Sequence, residues 1–203
     1  MSSTDANRAS QASSVDIEQP PKPAVRPYPS QYVSSWKMKD GTQLTIRPIR
    51  PEDEPLMVKF HETLSDRSVY LRFFGSLSLS RRVAHERLLR ICFCDYDREI
   101  ALVAERTDPL TGERRIMAVG RLSKLDGKKE AEVAILVSDF YQKQGLGYEL
   151  LRRVVQIARD EKLTQVHAEM LPDNIAIQVI MKRIGFRVRP AEDLTSVQAY
   201  LDL

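Results

Sequence analysis

The stretch VAILVSDFYQKQGLGYELL, Val133 to Leu151, changes its period halfway along. Val133 to Val137 is a continuous apolar run of strand length, whereas from Leu146 onward Leu150, Leu151, Val154, Val155 and Ala158 recur at helical spacing, giving a helix to about Lys162. A strand therefore passes into a helix through Lys143, Gly145 and Gly147. The first amides of a helix have no intrahelical partner and carry partial positive charge, so such a junction is an anion site. Glycine removes the Cβ atoms that would hold a phosphate away, and Lys143 adds a mobile cation.

Two familiar phosphate loops do not fit. A Walker loop requires Gly-Lys-Ser/Thr after the spacer, but Gly147 is followed by Tyr148 and Glu149; a dinucleotide fingerprint requires a third glycine at position 150, which is Leu. Nucleotide hydrolysis and hydride transfer are set aside on these grounds.

Working outward, "TQLTIRPIR" (Thr42 to Arg50) alternates as a first strand would, and Pro51 with Glu52, Asp53 and Glu54 suits a helix start. That helix runs through Leu56, Met57, Phe60 and Leu64. A second helical region is expected from Ser65 to about Phe93, broken at Gly75, with Ser80 as a cap. "EIALVAER", "RIMAVGRLSKL" and "EAEVAILV", joined by the turn-forming "TDPLTGE" and "DGKK", predict a three-stranded antiparallel meander, the last member being the fourth strand. Beyond the glycine junction come a strand at Gln165 to Leu171, a helix opened by Asp173-Asn174 and closed by Gly185-Phe186, and strands near 186–188 and 197–201. Residues 1–35, rich in Ser, Gln and Pro, are expected to be a disordered tail, with the folded domain over 36–203.

Composition bounds the function. At 203 residues, 42% apolar and 29% charged, the chain suits one soluble domain. Its 31 basic and 28 acidic residues are interspersed without a basic, aromatic-studded run, so no nucleic-acid partner is expected. Apolar runs of about five residues fall far short of a membrane helix, and without an apolar N-terminal core a cytoplasmic location is the expectation. Cys92 and Cys94, one residue apart, fit neither a structural disulfide nor a zinc set, and His61, His85 and His167 are scattered; no metal site is expected.

Gln142-Lys143-Gln144-Gly145-Leu146-Gly147 resembles, at each fixed position, the Gln/Arg-x-x-Gly-x-Gly/Ala pyrophosphate loop of the GNAT superfamily of acetyl-CoA-dependent N-acetyltransferases. "LPDNIAIQVIMKRIGF" (Leu171 to Phe186) resembles that family's following segment, and the order of elements matches over about residues 42–190. "RSVYLRFFG" (Arg67 to Gly75) and "DYDREIALVAE" (Asp95 to Glu105) look like the acetyltransferase domain of Pat-type bacterial protein lysine acetyltransferases, of which this chain would be a stand-alone relative.

The resemblance implies an α/β (α+β) GNAT fold: a central mixed, mostly antiparallel sheet flanked by helices, with splayed fourth and fifth strands. It implies acetyl-CoA as cosubstrate, its pyrophosphate on Gln142, Lys143, Gln144, Gly145, Leu146, Gly147 and Tyr148, and its pantetheine arm along the backbone of Ile135, Leu136 and Val137. Asn174 would hydrogen-bond the cofactor, or simply cap its helix. Glu132 resembles in placement the general base of the family, with Glu169 on the following strand as rival. The Tyr that many small-molecule members use to protonate the leaving thiolate is replaced by Met181. The implied acceptor is a protein lysine, an acyl-CoA synthetase being the candidate partner. The alternatives are a small-molecule amine N-acetyltransferase and a non-catalytic acyl-CoA-binding module.

Overall fold

A computed structural model describes residues 26–203. Strands β1 (Ser34–Lys37) and β2 (Gln43–Pro48) lead into four helices, α1 (Glu54–Glu62), α2 (Asp66–Phe73), α3 (Leu79–Arg82) and α4 (His85–Cys92). Then come β3 (Glu99–Thr107), β4 (Arg114–Lys124), β5 (Glu130–Val137), α5 (Leu146–Asp160), β6 (Gln165–Met170), α6 (Ile175–Ile184), β7 (Arg187–Pro190) and β8 (Val197–Asp202). They form one sheet in the order β1-β2-β3-β4-β5-β6-β8-β7. Every neighbouring pair is antiparallel except β5 and β6, so the sheet is mixed and mostly antiparallel.

The two faces are covered by different helices. Leu146, Leu150, Leu151, Val154, Val155 and Ala158 form one buried stripe of α5 against β2 to β6, with Ile177, Ile180 and Ile184 of α6 packed at its margin. A Cβ on Gly120 of β4 would lie 2.8 Å from Leu150 Cγ and 3.1 Å from Val154 Cγ2, so this glycine lets α5 lie directly on the strand. On the opposite face Met57 and Phe60 of α1, Val69 of α2 and Leu88 and Cys92 of α4 cover Ala101, Val103 and Val119. Among the described residues no helix is long and apolar enough to cross a membrane.

Some boundaries differ from the sequence reading. The strand containing Leu44 and Ile46 is the second, because Ser34 to Lys37 pair with Ile46 to Gln43 outside it. The tail expected over residues 1–35 lies outside the described residues up to position 25. Positions 26–35 carry structure: Tyr28 Oη donates to Pro48 O at 3.0 Å, and Arg26 bonds Glu161. Polar, proline-rich composition hid this segment, because its anchors are long-range. The second helical region is three helices: α2 ends where Phe74 turns left-handed at φ 60°, one residue before Gly75. Ser78, not Ser80, caps α3 by accepting from Arg81 N.

The acidic start of α1 also has a second use. Asp53, 1% exposed, accepts from Arg47 Nη1 and Nη2 at 2.7 Å each and from Arg50 N at 2.8 Å. Arg47, itself buried, also donates to Glu105 of β3, which Arg114 holds from outside. One guanidinium thus ties β2, β3 and the start of α1 together. Arg47→Met leaves two carboxylates short of their buried partner, and we expect a loss of about 3–5 kcal/mol in urea unfolding.

His61 on α1 is 3% exposed, and burial, with Arg82 and Arg87 nearby, pushes it down to about 4. Between that value and the ordinary 6.5 the unfolded chain binds a proton that the folded chain does not. Stability must therefore fall as pH drops through this window, by roughly 3 kcal/mol at most. Thermal melts at pH 7 and pH 4.5 should show a smaller fall in His61→Leu than in the parent chain.

Candidate active site

β5 and β6 run side by side for three pairs only: Glu130 with Gln165, Ala131 with Val166 and Glu132 with His167. Past Glu132, β5 keeps β4 as its partner through Val137 and, among the described residues, has no strand on its other side. The parted strands open a cleft of about 640 Å³. Its walls are β5 from Glu132 to Val137, β6 from Ala168 to Met170, the start of α5, and α6.

Of the residues singled out in the sequence, Glu132, Ile135, Leu136, Val137, Gln142, Lys143, Gly145, Gly147, Tyr148 and Asn174 all border this cleft. Two do not. Leu146 is 1% exposed and its side chain belongs to the core under α5, leaving only its first-turn amide for a ligand. Gln144 folds back, Nε2 donating to Phe140 O at 3.3 Å. Spacing along a loop does not reveal which residues face inward.

The two glycines serve different ends. Gly145 caps α5 at φ 88°, following Lys143 at φ 59°, and a Cβ on it would meet nothing within 4 Å. Its demand is conformational. A Cβ on Gly147 would sit 3.4 Å from Ile135 Cδ1 and from Ile180 Cδ1, so that glycine brings the first turn of α5 close to both walls.

The junction is also fastened from α2, which sequence reasoning missed. Gln142 Nε2 donates to Val137 O at 3.2 Å and to Ser68 Oγ at 3.0 Å. Asp139 accepts from Ser65 N, Ser65 Oγ and Ser68 Oγ at 2.8–2.9 Å. These partners are some seventy residues apart, and no local pattern announces them. Arg183 of α6 lies over the Tyr148 ring, 4.7 Å from its centre, on the cleft wall.

Strand alternation sorts β5. Val133, Ile135 and Val137 pack toward the α5 core, which places Glu132, Ala134 and Leu136 on the face of α1, α2 and α4. Glu132 is exposed and has no hydrogen-bond or ion-pair partner among the described residues. Its rival Glu169 is engaged, accepting from Ser196 Oγ at 2.5 Å. Asn174 Oδ1 accepts from Ile177 N at 3.4 Å, so it does cap α6; its amide NH2 group is not used in that cap. Met181, 1% exposed, reaches the cleft with a thioether that has no proton to give. Among the described residues no cluster of His, Cys, Asp or Glu is arranged to hold a metal ion.

At Gly145 any side chain is forced into the left-handed region, shifting the amides that face the cleft. Gly145→Val should weaken acetyl-CoA binding at least about tenfold, read by calorimetry, with the fold retained. Unchanged affinity would show that the loop does not carry the phosphates.

Residues 43–187 match the family model described as an acetyltransferase (GNAT) domain. The chain is 28% identical over 161 residues to acetyltransferase PA5475 of Pseudomonas aeruginosa, covering 79% of this chain and 84% of that protein. It is 26% identical over 167 residues to acetyltransferase Pat of Mycolicibacterium smegmatis, covering 82% of this chain but spanning only 48% of that longer relative. Among solved structures, the GNAT domain of S. lividans PAT superposes with a TM-score of 0.76 at 26% identity, over 87% of this chain and 100% of that domain. A strand that parts from its parallel neighbour, a glycine-built helix start at the opening, and a family match spanning most of the chain lead to one conclusion: this protein belongs to the GNAT family and is an acetyl-CoA-dependent N-acetyltransferase.

Proposed function

We propose that the protein transfers the acetyl group of acetyl-CoA to the side-chain amine of a protein lysine, with an acyl-CoA synthetase as the candidate acceptor. The observation that carries the chemistry is the free carboxylate of Glu132 at the point where β5 and β6 part. The likeness to Pat of M. smegmatis and to the S. lividans PAT domain supports a protein acceptor. Exposed apolar side chains, Tyr70 on α2 and Phe74 just past its end, the latter on the cleft rim, suit contact with a folded partner.

In this reading the first turn of α5 and Lys143 hold the pyrophosphate, and the open edge of Ile135 to Val137 pairs with the pantetheine amides as a further strand would. The acceptor arrives as an ammonium, which cannot attack a thioester. Glu132 takes its proton, directly or through water; the freed nitrogen attacks the carbonyl carbon and the carbon–sulfur bond breaks. With Met181 in the cleft, the departing thiolate takes, through water, the second proton that the nitrogen sheds as it becomes an amide. Asn174 caps α6 with one face of its amide and offers the other to the cosubstrate.

Glu132→Gln keeps the shape and removes the base. Turnover at neutral pH should fall by roughly 10²-fold or more, with acetyl-CoA affinity within about twofold of the parent. Glu169→Gln should stay within a few-fold; a dead Glu169→Gln beside an active Glu132→Gln would move the base to β6. For the acceptor, an intact acyl-CoA synthetase should be acetylated at one lysine much faster than a peptide copied from around it, because the peptide loses contacts remote from the amine. Equal rates, or fast turnover of a free polyamine, would give the site to small amines.

A further inference from the structure

A second cavity, of about 440 Å³, lies on the opposite face of the sheet from α5, between α1, α2, α4 and the middle of β4 and β5. Its charged lining is mostly basic: Arg72, Arg87, Arg90 and Arg121 face one carboxylate, Glu86. Arg121 is paired with Glu99. Arg72, Arg87 and Arg90 have no carboxylate partner among the described residues. The guanidiniums of Arg72 and Arg87 lie over the Phe73 ring at 5.3 and 5.2 Å, which keeps both near the cavity. Burial, and then the Arg121 charge, hold both guanidiniums below their ordinary value, so the cations are crowded.

Next to them, buried polar atoms lack partners. His61 lines the cavity at 3% exposed, and among the described residues neither of its ring nitrogens nor the Nε of Arg87 has a hydrogen-bond partner. Buried polar groups are ordinarily satisfied, and arginines without acids crowd together where an anion joins them. Missing here are several acceptor oxygens on one compact group, which a carboxylate or a phosphate provides to forked N–H donors.

The position of the cavity says what the anion belongs to. Ala134 and Leu136 border both this cavity and the acetyl-CoA cleft, and so does Arg72. Glu132 shares their face of β5 and is close enough to Arg72 to favour its charged form. An amine placed at Glu132 therefore has the arginine cavity as its neighbour. We propose that this cavity binds an oxyanion carried by the acceptor beside the amine that is acetylated. Resting on the protein-lysine reading, the target lysine then lies next to an acidic or phosphorylated residue.

The test uses the full chain saturated with CoA, so that the α5 junction cannot take up the probe. Glutarate and inorganic phosphate are titrated by calorimetry into the parent and into Arg87→Gln and Arg90→Gln; Arg90 is exposed, and its substitution does not touch the core. At least one anion should bind the parent and lose about tenfold or more in both variants. In parallel, lysine peptides flanked by Glu, by phosphoserine or by Ala are compared as acceptors with acetyl-CoA. The parent should favour an anionic peptide by about tenfold in kcat/KM, mainly through KM, and both variants should lose that preference. Whether Glu or phosphoserine is favoured identifies the anion as carboxylate or phosphate. Equal rates for all three peptides, or a preference that survives both substitutions, overturns the proposal and leaves the protein-lysine reading standing. Anion binding that disappears in both variants while neither a peptide nor an intact acyl-CoA synthetase is turned over upholds the cavity and removes the protein-lysine reading.

Discussion

Three residue pairs decide what this molecule can do. β5 and β6 are parallel neighbours only from Glu130 to Glu132, and beyond that point one edge of β5 has no strand beside it among the described residues. Unpaired amides and carbonyls in a sheltered place are unfavourable unless something satisfies them. Gln142 answers for one, the carbonyl of Val137; the rest of the edge is left for a ligand whose own amides can pair with it. In the proposed reading the chemistry sits at this opening, because the last residue of β5 paired with β6 is Glu132, set at the fork.

Keeping the strands apart requires rigid supports on either side. On one face the whole stripe of α5 is buried on the sheet, and Gly120 and Gly147 let it sit close to β4 and to the cleft walls. On the other, Asp139 and Gln142 fasten the junction to Ser65 and Ser68 at the start of α2. Arg47, with Asp53 and Glu105, holds the start of α1 against β2 and β3. The helices that bound the second cavity are thus fixed to the sheet that bounds the cleft, so the two openings keep their relation.

What the sequence reveals and what it hides divide along the range of the interactions. Period changes and turn residues are local, so the meander, α5, β6 and α6 were all legible, and the glycine junction was found in its place. The helix ends at Phe74 and Ser78 were missed because a left-handed Phe has no sequence signature and two serines two residues apart are equivalent caps on paper. Gln144 and Leu146 belong to the loop motif assigned to the pyrophosphate, and a loop motif does not reveal that the Leu146 side chain turns into the core while Gln144 folds back on Phe140. The α2 clamp and the arginine cavity were invisible for a different reason: their members come from α1, α2, α4, β4 and β5 and meet only after folding. Glu132 and Glu169 both reach the cleft, and the Ser196 contact, which engages Glu169 and leaves Glu132 free, is a difference that appears only on folding.

The family match begins at residue 43, yet β1 lies before it and covers the outer edge of β2. An uncovered edge with Leu44 and Ile46 in register would present free backbone groups to any other extended chain. β1 closes that edge with four residues, Ser-Ser-Trp-Lys, short, mostly polar and ending in a cation. Its approach is held by the Tyr28 and Arg26 anchors. Resistance to edge-to-edge aggregation therefore depends on a segment that contributes nothing to the cleft. A version trimmed to begin at residue 43 would keep every residue of the cleft except Lys39 and still be prone to precipitate.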